Sequence, residues 1–183
     1  MGRYPGAIDC DIHPSVPSIG ALLPYMDDYW REAFVSRGID GLEMASYPPG
    51  APISCRADWR PPKGRPAADP ITIARQSLDV VGSAFAICNP LTGGQVAVSE
   101  SMGAAVCRAV NDWITKEFLE KDTRFRASII VPPQSPELAV EEIDRESELV
   151  AIEIGCCLHI RHIKYWYCLR QLLCGRRWLS GFD

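Results

Sequence analysis

Several kinds of segment are scarce or lacking in this chain, and each gap narrows what the protein can be. No uninterrupted apolar run approaches the roughly 20 residues a membrane helix needs, so no spanning segment is expected. The amino terminus lacks a basic stretch followed by an apolar core, which argues against export. Gly2 is not followed at position 6 by the Ser or Thr of a myristoylation signal but by Gly6. Neither a Gly-x-Gly-x-x-Gly nor a Gly-x4-Gly-Lys-Ser/Thr run follows an apolar segment, and Gly93-Gly94 reads as loop punctuation rather than a phosphate cradle. Basic residues are outnumbered, with a formal net charge of -4. A nucleic-acid binder would show a basic stripe, so none is expected. Histidine is scarce, with three in 183 residues, which makes the position of each informative. The eight cysteines form no secreted-style framework, and a reducing, cytoplasmic compartment is the expectation.

The composition is that of an ordinary globular protein, with 47% hydrophobic and 23% charged residues. The most informative stretch is Ala7-Ile8-Asp9-Cys10-Asp11-Ile12-His13-Pro14. It reads as a short buried strand, and strand residues alternate faces with a period of two. Asp9, Asp11 and His13 are then expected on one face, with Ile8, Cys10 and Ile12 on the other. Pro14 ends the strand and leaves His13 at its carboxyl end, the edge where parallel α/β proteins build active sites. A carboxylate and an imidazole two residues apart can lean toward one divalent cation at about 2.0–2.2 Å each. Satisfaction of nearby turn amides is the alternative use of the same two side chains.

Further along, Ile19, Leu22, Leu23, Met26, Trp30, Ala33 and Phe34 recur at helical spacing and predict an amphipathic helix ending near Gly38. Prolines 48, 49, 52, 61, 62, 66 and 70 forbid regular structure over residues 38–70. Within that excursion Arg56, Trp59 and Arg60 offer either a lining for an anion or a solvated loop. Asp69-Pro70 reads as an N-cap with proline at the first helical position, opening a helix that runs to Gly82. The apolar run Ala84 to Cys88 suits a strand buried on both faces and closed by Asn89-Pro90. Val98 to Phe118 carries the stripe of a long helix, Arg126 to Val131 reads as a strand, Ser135-Pro136-Glu137 opens a further helix, and Leu149 to Ile154 is a fourth strand candidate. Alternation of strand and helix predicts a parallel sheet with right-handed crossovers. The expected fold class is α/β.

Ile8-Asp9-Cys10-Asp11-Ile12-His13, together with Leu22-Leu23-Pro24-Tyr25 and Tyr29-Trp30, resembles the amino terminus of the amidohydrolase superfamily. The branch it is most similar to is the amidohydrolase-related group that includes aminocarboxymuconate-semialdehyde decarboxylase and γ-resorcylate decarboxylase. The resemblance runs from about Gly6 to Ile154 and is specific mainly at the first motif. It implies a (β/α)8 TIM-type barrel with one or two divalent metals, zinc or manganese, at its carboxyl face. It also implies that Asp11 takes the place of the first metal ligand and His13 that of the second. The reaction implied is metal-dependent hydrolysis or decarboxylation of a small organic acid or amide. Such barrels typically need about 250 residues, so an incomplete barrel of the first three to four βα units is expected in residues 1–155. Later strands of the family supply further His ligands and an Asp that serves as base. No match to those segments is identifiable, so the chain as written is expected to be inactive. The alternative is a non-catalytic barrel remnant acting through a partner, with homo-oligomerisation or aggregation through the open sheet edge.

The last segment, 156–183, departs from this pattern. It carries five basic residues and one acid, against 14 and 22 in residues 1–155, and it holds four cysteines and two histidines. Cys156-Cys157-Leu158-His159-Ile160-Arg161-His162 offers zinc-ligand types at a spacing that structural zinc sites rarely use. A shifted reading frame or retained intron explains the abrupt change better.

Overall fold

A computed structural model describes residues 4–41, 55–97 and 99–149. The strand candidate at 149–154 and the cysteine- and histidine-rich segment at 156–183 lie outside the described residues, apart from Leu149 itself, which is helical.

Three strands form a parallel sheet in the order β1-β2-β3: β1 (Ile8–Ile12), β2 (Phe85–Cys88) and β3 (Phe125–Ala127). Ile8 pairs with Phe85 and Asp9 with Ala86, while Ala86 pairs with Phe125 and Cys88 with Ala127. The strand–helix alternation of the sequence thus yields the parallel, α/β arrangement that short sequential crossovers favour. β1 is an edge of this sheet among the described residues, and it is not a buried strand: Ile8, Cys10 and Asp11 are exposed. Among the described residues, the two faces of β2 are covered unequally. Ala86 and Cys88 are fully buried against the helices, whereas Phe85 stays 39% exposed.

The expected helix over residues 19–38 is split. Two 3-10 turns, Ile19–Ala21 and Leu23–Tyr25, precede α1 (Asp28–Ser36). Pro24 within the second turn has no amide to donate, and the Asp27 carboxylate caps α1 by accepting from the Trp30 amide at 2.8 Å. Gly38 follows the helix with φ at 63°, a left-handed conformation that glycine adopts without strain. The helix opened by Asp69-Pro70 forms as read. α2 starts at Pro70–Ile73, widens through a π-helical stretch Ala74–Leu78, and finishes at Asp79–Val81. Gly82, at φ 80°, closes it.

The long helix α3 (Glu100–Ile114) is capped by Ser99 and runs on into a π-helical turn, Thr115–Leu119. It supplies the centre of the core. Val106, Val110, Trp113 and Phe118 pack with Leu22, Phe34 and Leu78 on the helix side of the sheet. Trp113 meets Phe118, and Phe118 meets Phe125 of β3, at ring-centroid distances of 5.3 and 5.8 Å in edge-to-face geometry.

β3 is shorter than the apolar run suggests. Asn111 on α3 captures the backbone of Ile130: the Ile130 amide donates to Asn111 Oδ1 and Asn111 Nδ2 donates to the Ile130 carbonyl, both at 2.9 Å. A side chain occupies the hydrogen-bonding groups that a longer strand would offer its neighbour. Among the described residues, no helix is long and apolar enough to cross a membrane.

α4 (Pro136–Leu149) docks on α3 through buried charge. Glu142 accepts from Asn111 Nδ2 at 2.8 Å and from Arg145 Nη2 at 2.6 Å, and Arg145 also donates to Asp112 at 2.8 Å. Burial opposes the Arg145 charge, but its hydrogen bonds to Glu142 and Asp112 prevail and hold the guanidinium protonated. Burial pushes the Glu146 carboxyl up to about 7 despite the adjacent Arg145, with Glu142 and Asp112 adding repulsion. A carboxyl whose folded pKa lies above its ordinary 4.5 binds more protons folded than unfolded. Its contribution to stability is therefore present at low pH and declines as pH rises from about 4.5 to about 7. The slope from this one group is at most about 1.4 kcal/mol per pH unit. Urea melts between pH 5 and pH 7 should show that decline in the native chain and a flatter profile in Glu146→Gln.

Candidate metal centre at the carboxyl end of the first strand

The site is assembled where the chain leaves β1. Register slips between Asp9 and Ile12: Asp9 pairs with Ala86 and Ile12 with Cys88, three residues against two. The extra residue makes a bulge, which interrupts the period of two. Asp9 consequently does not join Asp11 and His13. Its Oδ2 accepts from the buried Ser77 hydroxyl at 2.6 Å, and its Oδ1 accepts the Asp11 amide at 3.1 Å. Asp9 thus fastens β1 to α2 and closes the bulge with a local turn.

Beyond the bulge, Asp11 and His13 do come together. Asp11 Oδ1 lies 3.0 Å from His13 Nε2, with the carboxylate open to solvent and the imidazole about one-third exposed (91% and 37%). The other ring nitrogen is already committed, since His13 Nδ1 lies 2.9 Å from the Asn89 carbonyl. A carbonyl only accepts, so this contact calls for a proton on Nδ1, and a cation at Nε2 would take the place of the proton that the Asp11 carboxylate otherwise draws there. That is the outer hydrogen bond that metal-binding histidines use to fix their tautomer and direction.

The donor set fits a divalent cation on this geometry. Two donors 3.0 Å apart can both lie at about 2.0–2.2 Å from a common point. A hard carboxylate oxygen beside an imidazole nitrogen suits zinc or manganese. Among the described residues, no group of three or more His, Cys, Asp or Glu side chains converges as a metal site. Asp11 and His13 are the two donors that the described residues bring together at this strand end.

Asn89, which in the sequence marks only the end of a strand, gathers several groups at this edge. Its amide donates to the Ile12 carbonyl at 2.7 Å. Its Nδ2 donates to the carbonyls of Cys10 at 2.8 Å and Ile87 at 3.2 Å, and its Oδ1 accepts from the Ser128 hydroxyl. The only signal in the sequence was a hydrogen-bonding side chain directly after a strand.

The Arg56, Trp59 and Arg60 group forms one turn, Ala57–Trp59, with its flanks. Arg56 is bound in fork geometry to Asp58 at 2.7 and 3.0 Å and stacks over the Trp59 ring at 4.9 Å. These contacts hold the guanidinium protonated and the Asp58 carboxyl below its usual range. Gln76 Nε2 ties the Trp59 carbonyl to α2 at 3.1 Å. Arg56 is thus answered within its own turn rather than presented as a bare cation.

The described cysteines are free thiols. Cys88 and Cys107 are buried, and burial pushes both thiols up to about 12. They are inert packing groups rather than nucleophiles.

None of the curated proteins matches the chain. The amidohydrolase family profile matches residues 8–155, from the first residue of β1 through the whole described sheet and its helices. A match over that share of the sequence, with Asp11 and His13 at the end of its first strand, places the chain in the amidohydrolase family.

Proposed function

We propose that Asp11 and His13 are the first-strand ligands of a divalent metal, zinc or manganese, in a metal-dependent hydrolase or decarboxylase of the amidohydrolase-related branch. The observation that carries this reading is the 3.0 Å approach of Asp11 Oδ1 to His13 Nε2, with Nδ1 held by the Asn89 carbonyl. When bound, the cation supplies Lewis-acid polarisation of a substrate oxygen. The residues themselves do the holding: Asp11 contributes negative charge, His13 a directed lone pair, and Asn89 the acceptor that keeps the imidazole from turning. The substrate class that suits this centre is a small amide, which water cleaves to carboxylic acid and amine, or a small, aromatic or conjugated carboxylic acid, which releases carbon dioxide and takes up a proton at the carbon left behind.

A second reading, a barrel remnant that works through association, is favoured by the outer face of the sheet. Ile8 and Phe85, register partners on adjacent strands, are 55% and 39% exposed. Apolar sheet surface of this kind invites a partner or self-association.

Turnover separates the two. The full chain, loaded with zinc or manganese, is assayed against a panel of amides and aromatic carboxylates, with Asp11→Ala alongside. Metal-dependent turnover that is lost in Asp11→Ala supports the enzymatic reading. Turnover indifferent to chelation and to Asp11→Ala contradicts it, and a metal-loaded chain without turnover on any substrate favours the remnant.

A further inference from the structure

Asn89 touches more of the carboxyl edge of the sheet than any ligand candidate does. Its amide holds the end of β1 through the Ile12 carbonyl, and its own carbonyl receives the His13 ring. Cys10 and Asp11 fall in the bulged stretch where β1 has no register partner on β2. The Cys10 carbonyl that the ladder leaves over is taken by Asn89 Nδ2 at 2.8 Å. The same carboxamide reaches back to the Ile87 carbonyl of β2 and across to Ser128, which follows β3 and is itself buried (3% exposed). The Ser128 amide in turn donates to the Cys88 carbonyl at 3.0 Å. One side chain thus joins the ends of all three strands at the level of the bulge.

We propose that Asn89, braced by Ser128, is a positioning residue that fixes the tautomer and direction of His13. The chemistry selects Asn. Two carbonyls must be given N–H donors while one hydroxyl must be given an acceptor, and a carboxamide does both from one group. Aspartate cannot donate to Cys10 or Ile87, and Ala can do neither. Without the carboxamide the Asn89 backbone is free to shift, and with it the carbonyl that receives Nδ1–H. The ring then loses the hydrogen bond that holds a proton on Nδ1 against the pull of the Asp11 carboxylate at Nε2.

This inference rests on the metal reading for its purpose but not for its test. In metal-free full-length protein labelled with 15N-histidine and carrying Asp11→Ala, which removes the carboxylate that competes for the ring proton at Nε2, long-range proton–nitrogen correlations report the tautomer of each ring, and comparison with His13→Gln assigns His13. Zinc affinities are read separately with Asp11 in place. In the Asp11→Ala background at alkaline pH, His13 is expected as the Nδ1–H tautomer alone, because the Asn89 carbonyl is then the acceptor that faces the ring. Asn89→Ala and Asn89→Asp are expected to show a mixture of both tautomers. Their zinc affinity, read by competition with a chelating dye, should fall by roughly 10–100-fold, the usual cost of losing an outer partner. Ser128→Ala, which removes only the brace, should shift both readouts in the same direction but less, and it keeps the test available if Asn89→Ala does not fold. Val106→Ala serves as the structural control: it lowers the melting temperature through a core cavity and should leave the tautomer unchanged. Folded Asn89 and Ser128 variants that keep the native tautomer would overturn the inference, as would a Val106→Ala that scrambles it. If the Asp11→Ala chain shows the fixed tautomer and its Asn89 and Ser128 variants lose it, yet no form with Asp11 in place binds zinc, the positioning role stands and the metal reading fails.

Discussion

Replacing His13 with Ala is expected to abolish stoichiometric zinc or manganese binding, measured by elemental analysis after exhaustive dialysis, and to weaken zinc affinity by more than about 100-fold. Loss of an outer hydrogen-bond partner already costs roughly 10–100-fold, and His13 supplies a ligand itself. The remaining Asp11 carboxylate is open to solvent, where one exposed carboxylate binds a divalent cation weakly. The fold should tolerate the change. What is lost is the hydrogen bond from Nδ1 to the Asn89 carbonyl, worth about 1 kcal/mol, and a solvent-exposed contact of Nε2 with Asp11, worth at most about 1 kcal/mol. A large loss of metal with a small loss of stability is therefore the expected signature. Unchanged metal content in His13→Ala would instead assign Asp11 and His13 to local capping.

Gly94→Ala is expected to give the largest loss of stability among single-methyl changes in the loop behind β2. Gly94 opens a 3-10 turn whose backbone lies against α3, and a Cβ there would stand 2.2 Å from the Gly103 carbonyl oxygen. The obstacle is backbone within a capped helix, so it cannot swing aside as a side-chain end would. Contacts around it resist a shift as well: the Gly94 amide donates to Cys107 Sγ at 3.2 Å and its carbonyl accepts from Gln134 Nε2 at 2.7 Å. The cost should reach the top of the roughly 1–3 kcal/mol range of overpacked sites. For a chain of this size that is a fall in Tm of about 2–4 °C per kcal/mol, read by calorimetry. A melting temperature equal to that of the native chain would show that the turn and α3 are not in contact. The glycine pair is thus a packing device as well as loop punctuation.

Features set by nearest neighbours were legible in the sequence. The cap at Asp69, the alternation of strand and helix, and the adjacency of Asp11 and His13 all depend on residues within a few positions of one another. Features set by contacts distant in sequence were not. Nothing local marks the bulge that turns Asp9 toward Ser77, because the slip arises from pairing with β2. The shortening of β3 is imposed by Asn111, whose carboxamide satisfies Ile130 from α3. The hub at Asn89 exists only once the ends of three strands are side by side. The burial expected on both faces of β2 depends on what stands opposite its outer face, and a continuous apolar run carries no record of that. The family, by contrast, was legible from the first motif, since Asp-x-His at a strand end is short enough to survive as a local pattern.

A divalent cation shared by Asp11 and His13 is visible to anomalous diffraction. Crystals of the full chain grown with zinc, with data collected on both sides of the zinc edge, should show an anomalous peak at about 2.0–2.2 Å from both an Asp11 carboxylate oxygen and His13 Nε2. Zinc bound only elsewhere, or no peak at this site while Asp11 Oδ1 and His13 Nε2 keep their 3.0 Å contact, would contradict it.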